Sequence, residues 1–140
     1  MILSLDTNVI IDILNDRTGG VRDRYRAAQA AGDTLMTCAI AAQEFIYGAM
    51  ISPRPQVHLP NSEALLGELE IAPWTLEDGY ATARLRLALR KTGSTIGAAD
   101  ALIAGQALNR RWTMVSANLR EFERVEGLSV IDWTGRAADG

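Results

Sequence analysis

MILSLDTNVIIDIL, residues 1–14, begins with a short apolar run through Ile2, Leu3 and Leu5 and crosses three polar residues, Asp6, Thr7 and Asn8. It returns to apolar residues at Val9, Ile10, Ile11, Ile13 and Leu14. The pattern predicts a buried strand, a polar turn and the start of a helix. A parallel strand covered on both faces is nearly all apolar, and open α/β sheets gather ligands at the C-terminal ends of their strands. Asp6 stands at that end. Two readings of it are open: a helix N-cap, whose carboxylate accepts backbone N–H bonds of the first turn, or one of several acids brought to a common edge.

The 140 residues suit one domain with a sizeable core, expected over residues 1–133, with 134–140 as a frayed C-terminal tail. With 48% hydrophobic and 22% charged residues the chain reads as globular and soluble. No apolar run approaches the ~20 residues of a membrane span. The N-terminus lacks a secretory pattern, so a cytoplasmic location is expected. One cysteine, Cys38, excludes an internal disulfide, and one histidine, His58, excludes an ordinary structural zinc site and catalysis by a histidine pair. His58 falls in a proline-rich stretch that reads as a surface loop, and Cys38 reads as core. The net charge of −3 argues against gripping nucleic acid by bulk electrostatics, though not against an enzyme that meets phosphates through a metal.

Further along, residues 15–20 read as a loop and Val21–Ala31 as a helix stopped by Gly32. Thr34–Thr37 reads as a second strand and Cys38–Met50 as a helix carrying Glu44 among Ala41, Ala42, Phe45 and Ile46. Ser52–Asn61, with three of the four prolines, is expected as a loop, Ser62–Leu69 as a short helix and Glu70–Ala72 as a strand. Thr75 and Asp78 form a capping-box pattern that starts the longest helix, running to Lys91 and closed at Gly93. Leu76, Tyr80, Ala83, Leu87 and Ala88 are expected to be its core stripe, with Arg84, Arg86, Arg90 and Lys91 solvated. Ala98–Leu108 is apolar all round, hence a buried helix, with Asp100 in its first turn. A buried carboxylate is costly unless paired or liganded, although a helix N-terminus offsets part of that cost. Trp112–Val115 is a strand ending at Ser116-Ala117-Asn118, Leu119–Val125 one or two helical turns, and Leu128–Ile131 the last strand.

Strands alternating with helices imply a parallel α/β sheet, and right-handed crossovers bring several of these acids toward one edge. An all-oxygen set of that kind suits a hard divalent cation.

Four stretches together resemble the PIN-domain ribonucleases, and among them the VapC-type toxins of prokaryotic toxin–antitoxin pairs: LDTNVIIDIL, AAQEFIYGA, IGAADALIAGQAL and MVSANLREFERVEGLSVIDW. They cover nearly the whole chain in the expected order. The resemblance implies a three-layer α/β/α sandwich with a four- or five-stranded parallel sheet. It also implies an acidic pocket that binds Mg²⁺, or Mn²⁺ in its place, and hydrolyses RNA phosphodiester bonds. Carried over by position, Asp6, Glu44 and Asp100 are the metal-binding catalytic acids, and Asn8, Ser116 and Asn118 orient carboxylates, water or substrate. Where the family often has a fourth acid this chain has Asn118. Asp12 and Asp132 are left out of the site. The resemblance further implies silencing by a cognate antitoxin protein and a homodimer within that complex.

Two other functions fit parts of the pattern. A PIN-like module that binds RNA or protein with weakened catalysis would account for Asn118. An Mg²⁺-binding phosphoacceptor receiver domain would need an acidic pair after the first strand and a lysine after the last; Leu5-Asp6-Thr7 has no adjacent second acid, and the only lysine is Lys91.

Overall fold

In the computed structural model, which describes residues 1–16 and 20–135, the first strand β1 (Ile2–Leu5) occupies the centre of the sheet. β2 (Thr34–Cys38) and β3 (Glu70–Ala72) extend it on one side, and β4 (Thr113–Val115) and β5 (Ser129–Ile131) on the other, giving the order β3-β2-β1-β4-β5. Every pair is parallel, and Leu5 lies between Thr37 and Val115. The order reverses at β1, so the crevice beyond the ends of β1 and β4 is the switch point where open α/β sheets hold ligands. Asp6 follows one of those strands and Ser116 the other.

The described helices are α1 (Thr7–Asn15), α2 (Val21–Ala30), α3 (Ala39–Met50), α4 (Pro55–Leu66), α5 (Leu76–Lys91), α6 (Ala98–Arg110) and α7 (Leu119–Phe122). They cover both faces of the sheet. One half-core joins Leu3, Leu5, Leu35 and Val115 to Val9, Ile10, Ile13, Tyr25, Phe45 and Leu65, with Trp133 closing it. The other joins Cys38 and Met114 to Leu85, Leu89, Ile103, Ala104 and Phe122. The expected three-layer sandwich is the observed one. Buried on both faces, β1 needs its near-continuous apolar run.

Two expectations fail. The stretch 52–61 is not a loop: α4 runs through it from Pro55 to Leu66 and absorbs the helix expected to start at Ser62. Pro55 sits in the first turn, where its missing N–H is no loss; Pro60 forfeits one helical bond, and the helix persists because Ser62 and Leu65 are buried against the fold. His58 is therefore helical, though exposed, its ring paired with the Ser52 hydroxyl.

On α5 the expected core stripe faces outward: Leu76, Tyr80 and Leu87 are 71%, 58% and 54% exposed. The buried face is Asp78, Ala81, Thr82, Leu85 and Leu89. Small residues there let α5 and α6 meet closely; a Cβ on Gly105 would lie 1.8 Å from Thr82 Oγ1 and 2.9 Å from Thr82 Cα. Periodicity misleads because an acid occupies the buried face.

That acid, Asp78, is fully buried and closes the capping box with Thr75. Arg110 donates to both its oxygens at 3.1 and 3.2 Å, Asn109 at 2.9 Å and Gln106 at 3.2 Å. Burial pushes its carboxyl up, but the bonds from Arg110, the Thr75 backbone, Asn109 and Gln106 more than reverse this and hold it well below the usual carboxylate range. The cluster fastens the start of α5 to the end of α6.

Residues 17–19 of the expected loop and 136–140 of the expected tail lie outside the described residues. Thr134 at the tail's start is held, its N–H and hydroxyl both donating to Asp132.

Candidate active site

Asp6 is both of the things its position allowed. As N-cap of α1 it accepts the Val9 N–H at 2.9 Å, and its own N–H bonds Val115 O across the sheet at 3.1 Å. It is also 5% exposed and lies among other acids. Burial raises its carboxyl above the usual range; bonds from Ser116 and Val9 work against this, and the charges of Asp12 and Glu44 add to the rise. Ser116, fully buried beyond β4, donates to Asp6 and accepts the Asn118 N–H at 3.0 Å. It therefore ties Asp6 to the segment that follows β4. Asp12, left out on helical spacing, still reaches Asp6 electrostatically.

Glu44, in the second turn of α3, is partly buried and accepts the Thr7 hydroxyl at 2.9 Å, linking α3 to the start of α1. Asn8 points elsewhere. It is exposed, and its side chain bonds no other described residue, so the structure gives it no orienting contact.

Asp100 is the third residue of α6, the same position that Asp78 holds in α5, but it does not cap its helix. The N-cap is Gly97, which has no hydroxyl to offer, and its N–H donates instead to Glu121 at 2.7 Å. Glu121 belongs to α7 and also accepts from the Asn118 side chain. Asp100 therefore has acids for neighbours. Burial first, then the charge and hydrogen bond of Glu121, and then Asp6 and Glu44, push its carboxyl up to about 6.

Glu121 is the residue that sequence reasoning missed. The family's fourth acid was sought at Asn118, and that position holds an amide; three residues on, one short helical turn brings Glu121 to the same side. The signal lay in Asn118-Leu119-Arg120-Glu121, where the spacing returns an acid to the face of Asn118.

Asp6, Glu44, Asp100 and Glu121 thus share one electrostatic environment at the switch point. Burial and the neighbouring charges penalise the ionised forms of Asp6 and Asp100, so a cation would be welcome there. The donors are carboxylate and hydroxyl oxygens, the set a hard divalent ion takes. Among the described residues no three acids stand close enough to hold one ion between them as they lie. Glu44 is engaged by Thr7 and Asp100 by Glu121. The donor chemistry fits such an ion. Cys38 takes no part: it is fully buried, and burial pushes its thiol up.

Residues 3–128 match the PIN domain family. The chain is 33% identical over 131 residues to the tRNA(fMet)-specific endonuclease VapC of Salmonella typhimurium, spanning 92% of this chain and 96% of that protein. It is 33% identical over 129 residues to ribonuclease VapC2 of Haemophilus influenzae, again 92% and 96%. Among solved structures it superposes on VapBC2 from Rickettsia felis bound to a promoter DNA fragment, with TM-score 0.88, 27% identity and coverage of 95% and 99%. DNA-bound VapBC from Salmonella typhimurium gives TM-score 0.87, 31% identity and coverage of 95% and 98%.

Proposed function

The chain belongs to the PIN-domain family, in its VapC branch, and from that premise we propose that it is an endoribonuclease hydrolysing RNA phosphodiester bonds, the toxin of a pair silenced by a cognate antitoxin. The observation that carries this is the gathering of Asp6, Glu44, Asp100 and Glu121 at the end of β1 and β4, with raised carboxyls at Asp6 and Asp100. Acids assembled at a net cost to the fold mark a site of function. The relatives named as ribonucleases and the VapBC complexes supply the reaction class and the partner.

Asp6, Glu44 and Asp100, joined by Glu121, would hold a divalent cation, Mg²⁺ or Mn²⁺. Such an ion, when bound, supplies Lewis-acid charge at the scissile phosphate and lowers the pKa of water. The chain's own contribution is positioning. Ser116 and the Val9 N–H fix the two-sided environment of Asp6, Thr7 fixes Glu44, and the Gly97 N–H with Asn118 fixes Glu121. Oriented acids on rigid elements are the usual support of such sites.

Glu121 weakens the case for a binding module without catalysis, since that case rested on the amide at Asn118. Purified protein freed of any partner should cleave RNA with Mg²⁺ or Mn²⁺, stop in EDTA and be silenced by its antitoxin. Sequencing RNA 5′ ends after brief induction identifies the target. Undiminished cleavage in EDTA would sink the metal-dependent reading. A homodimer within the complex follows from the same family membership, and sedimentation of toxin with antitoxin tests it.

A further inference from the structure

The acidic site poses a problem for its own substrate. The chain carries a net charge of −3 and the pocket itself is anionic, so an RNA strand arriving there is repelled unless cations line its path. Four of the described arginines are held by hydrogen bonds or ion pairs: Arg22 to the end of α1 and Asp16, Arg26 to Glu68, Arg110 to Asp78, Arg124 to the Thr95 carbonyl.

Arg86 and Arg90 are not. They stand one turn apart on α5, both exposed, and neither bonds nor pairs with another described residue. They line a groove of about 380 Å³ between the second half of α5 and residues 94–96, with Leu87 and Ile96 as apolar walls. At Ile96 this groove adjoins the loop that borders the site. Ile96 is followed by Gly97, whose N–H is held by Glu121, and a Cβ there would lie 3.4 Å from Asp100 Oδ2. Chain length alone keeps Ile96 within about 14 Å of Asp100. Arg124 holds the same loop, donating to Thr95 O at 3.2 Å. A solvated helix end would account for Arg90 beside the α5 C-terminus. It does not account for a concave groove that joins two uncommitted guanidiniums to apolar walls and ends one residue from Gly97.

We infer that this groove is the path of the RNA substrate: Arg86 and Arg90 take phosphates of the strand flanking the cleaved bond, and Leu87 and Ile96 meet its bases. Guanidinium forks suit phosphates, and apolar surface beside them suits unstacked bases without selecting a sequence. The inference rests on the ribonuclease reading.

The test measures binding apart from cleavage. A fluorescent single-stranded RNA of about twelve nucleotides, within the usual site size of such grooves, is titrated in EDTA across a range of salt. Against the parent, Arg86→Gln/Arg90→Gln should flatten the plot of log affinity against log salt by roughly 1.4, at about 0.7 per lost phosphate contact on a single strand. At ~0.1 M salt that is a loss of roughly 25-fold. In Mg²⁺ the variant should show a raised KM with kcat nearly kept. Arg24→Gln/Arg54→Gln makes the same change of charge at exposed positions off the groove and should bind as the parent does.

Equal losses in both variants would mean bulk electrostatics, and unchanged binding in the groove variant would mean an idle groove; either overturns the inference. So does a groove variant that binds RNA normally but loses its antitoxin, which assigns the groove to an acidic protein segment. In each of these cases a parent that still cleaves RNA leaves the ribonuclease reading standing. A parent that neither binds nor cleaves RNA overturns both.

Discussion

Asp78 and Asp100 are the same residue at the same position, the third of two helices packed against each other, and their fates are opposite. Asp78 has a threonine N-cap to close a capping box and three donors reaching from the end of α6. Asp100 has a glycine N-cap whose N–H is taken by another acid, and its neighbours are Glu121, Asp6 and Glu44. One carboxyl is held below its ordinary range and the other above. The difference teaches that a helix N-terminus does not decide what an acid does. The donors that tertiary packing brings to it do.

The largest effect is expected on the satisfied side. Asp78→Ala strands Arg110 and removes the cap, and breaking a buried pair by deleting one partner costs about 3–5 kcal/mol. Urea denaturation measures it, and a loss under ~1 kcal/mol, the size of a surface pair, would break the contrast. The sign in pH follows. A carboxyl depressed in the fold contributes stability above its unfolded value, near 4, that is lost as pH falls through the lower folded value. Asp78 should therefore add to the stability lost between about pH 4 and pH 2, and Asp78→Asn should flatten that part of the acid melt.

Next comes the seam beside it. Gly105→Ala drives a methyl into Thr82, whose hydroxyl donates to Asp78 O at 2.8 Å. Overpacking of this kind costs about 1–3 kcal/mol, and contact with the Thr82 backbone places it toward the upper end. A variant as stable as the parent in the same denaturation would show that α5 and α6 part easily.

On the unsatisfied side the sign reverses. The Asp100 carboxyl, raised in the fold to about 6, binds its proton more tightly folded than unfolded. Its ionisation therefore lowers stability as pH rises from about 4 toward 6, and the penalty is full above that. Asp100→Asn keeps the shape and removes the charge. It should raise the melting temperature in EDTA at neutral pH by a few degrees, on the scale of about 1 kcal/mol. It should also abolish RNA cleavage and lose most of the stabilisation that Mg²⁺ gives the parent. If Asp100→Asn cleaves at the parent's rate, Asp100 is outside the site.

The smallest effect sharpens the comparison most directly. Gly97 has φ −58° and ψ 149°, which any residue can adopt as an N-cap. Gly97→Ser supplies the missing hydroxyl and should turn Asp100 toward the capping-box role of Asp78, stabilising α6 by only about a few tenths of a kcal/mol, because glycine is itself a fair N-cap. Cleavage should fall as the Asp100 carboxylate is drawn away. NMR titration should find that carboxyl below its parent value.

Much of the fold was legible because periodicity and caps are local. The apolar run of β1, the Thr75 and Asp78 capping pattern and the apolar α6 all stand where their residues place them. The helix through 55–61 was illegible because proline chemistry says loop while the burial of Ser62 and Leu65 says helix, and burial is not a local property. The α5 stripe was illegible for the same reason. Its outward face carries the large apolar Leu76, Tyr80 and Leu87 while an acid and a threonine face inward, and burial of that acid depends on donors far along the chain, Gln106, Asn109 and Arg110.

By itself the sequence determined the strand and helix order, the parallel sheet, and the acids Asp6, Glu44 and Asp100 as candidates, since hydrophobic period and residue type reside in short stretches. Only the tertiary structure decided which acids are neighbours. It put Glu121 against Asp100, gave Ser116 to Asp6 and left Asn8 in solvent, and it satisfied Asp78 with donors from another helix. The physical reason is that the state of a carboxylate depends on what lies within a few ångströms of it, and in this chain those neighbours come from residues far apart in sequence.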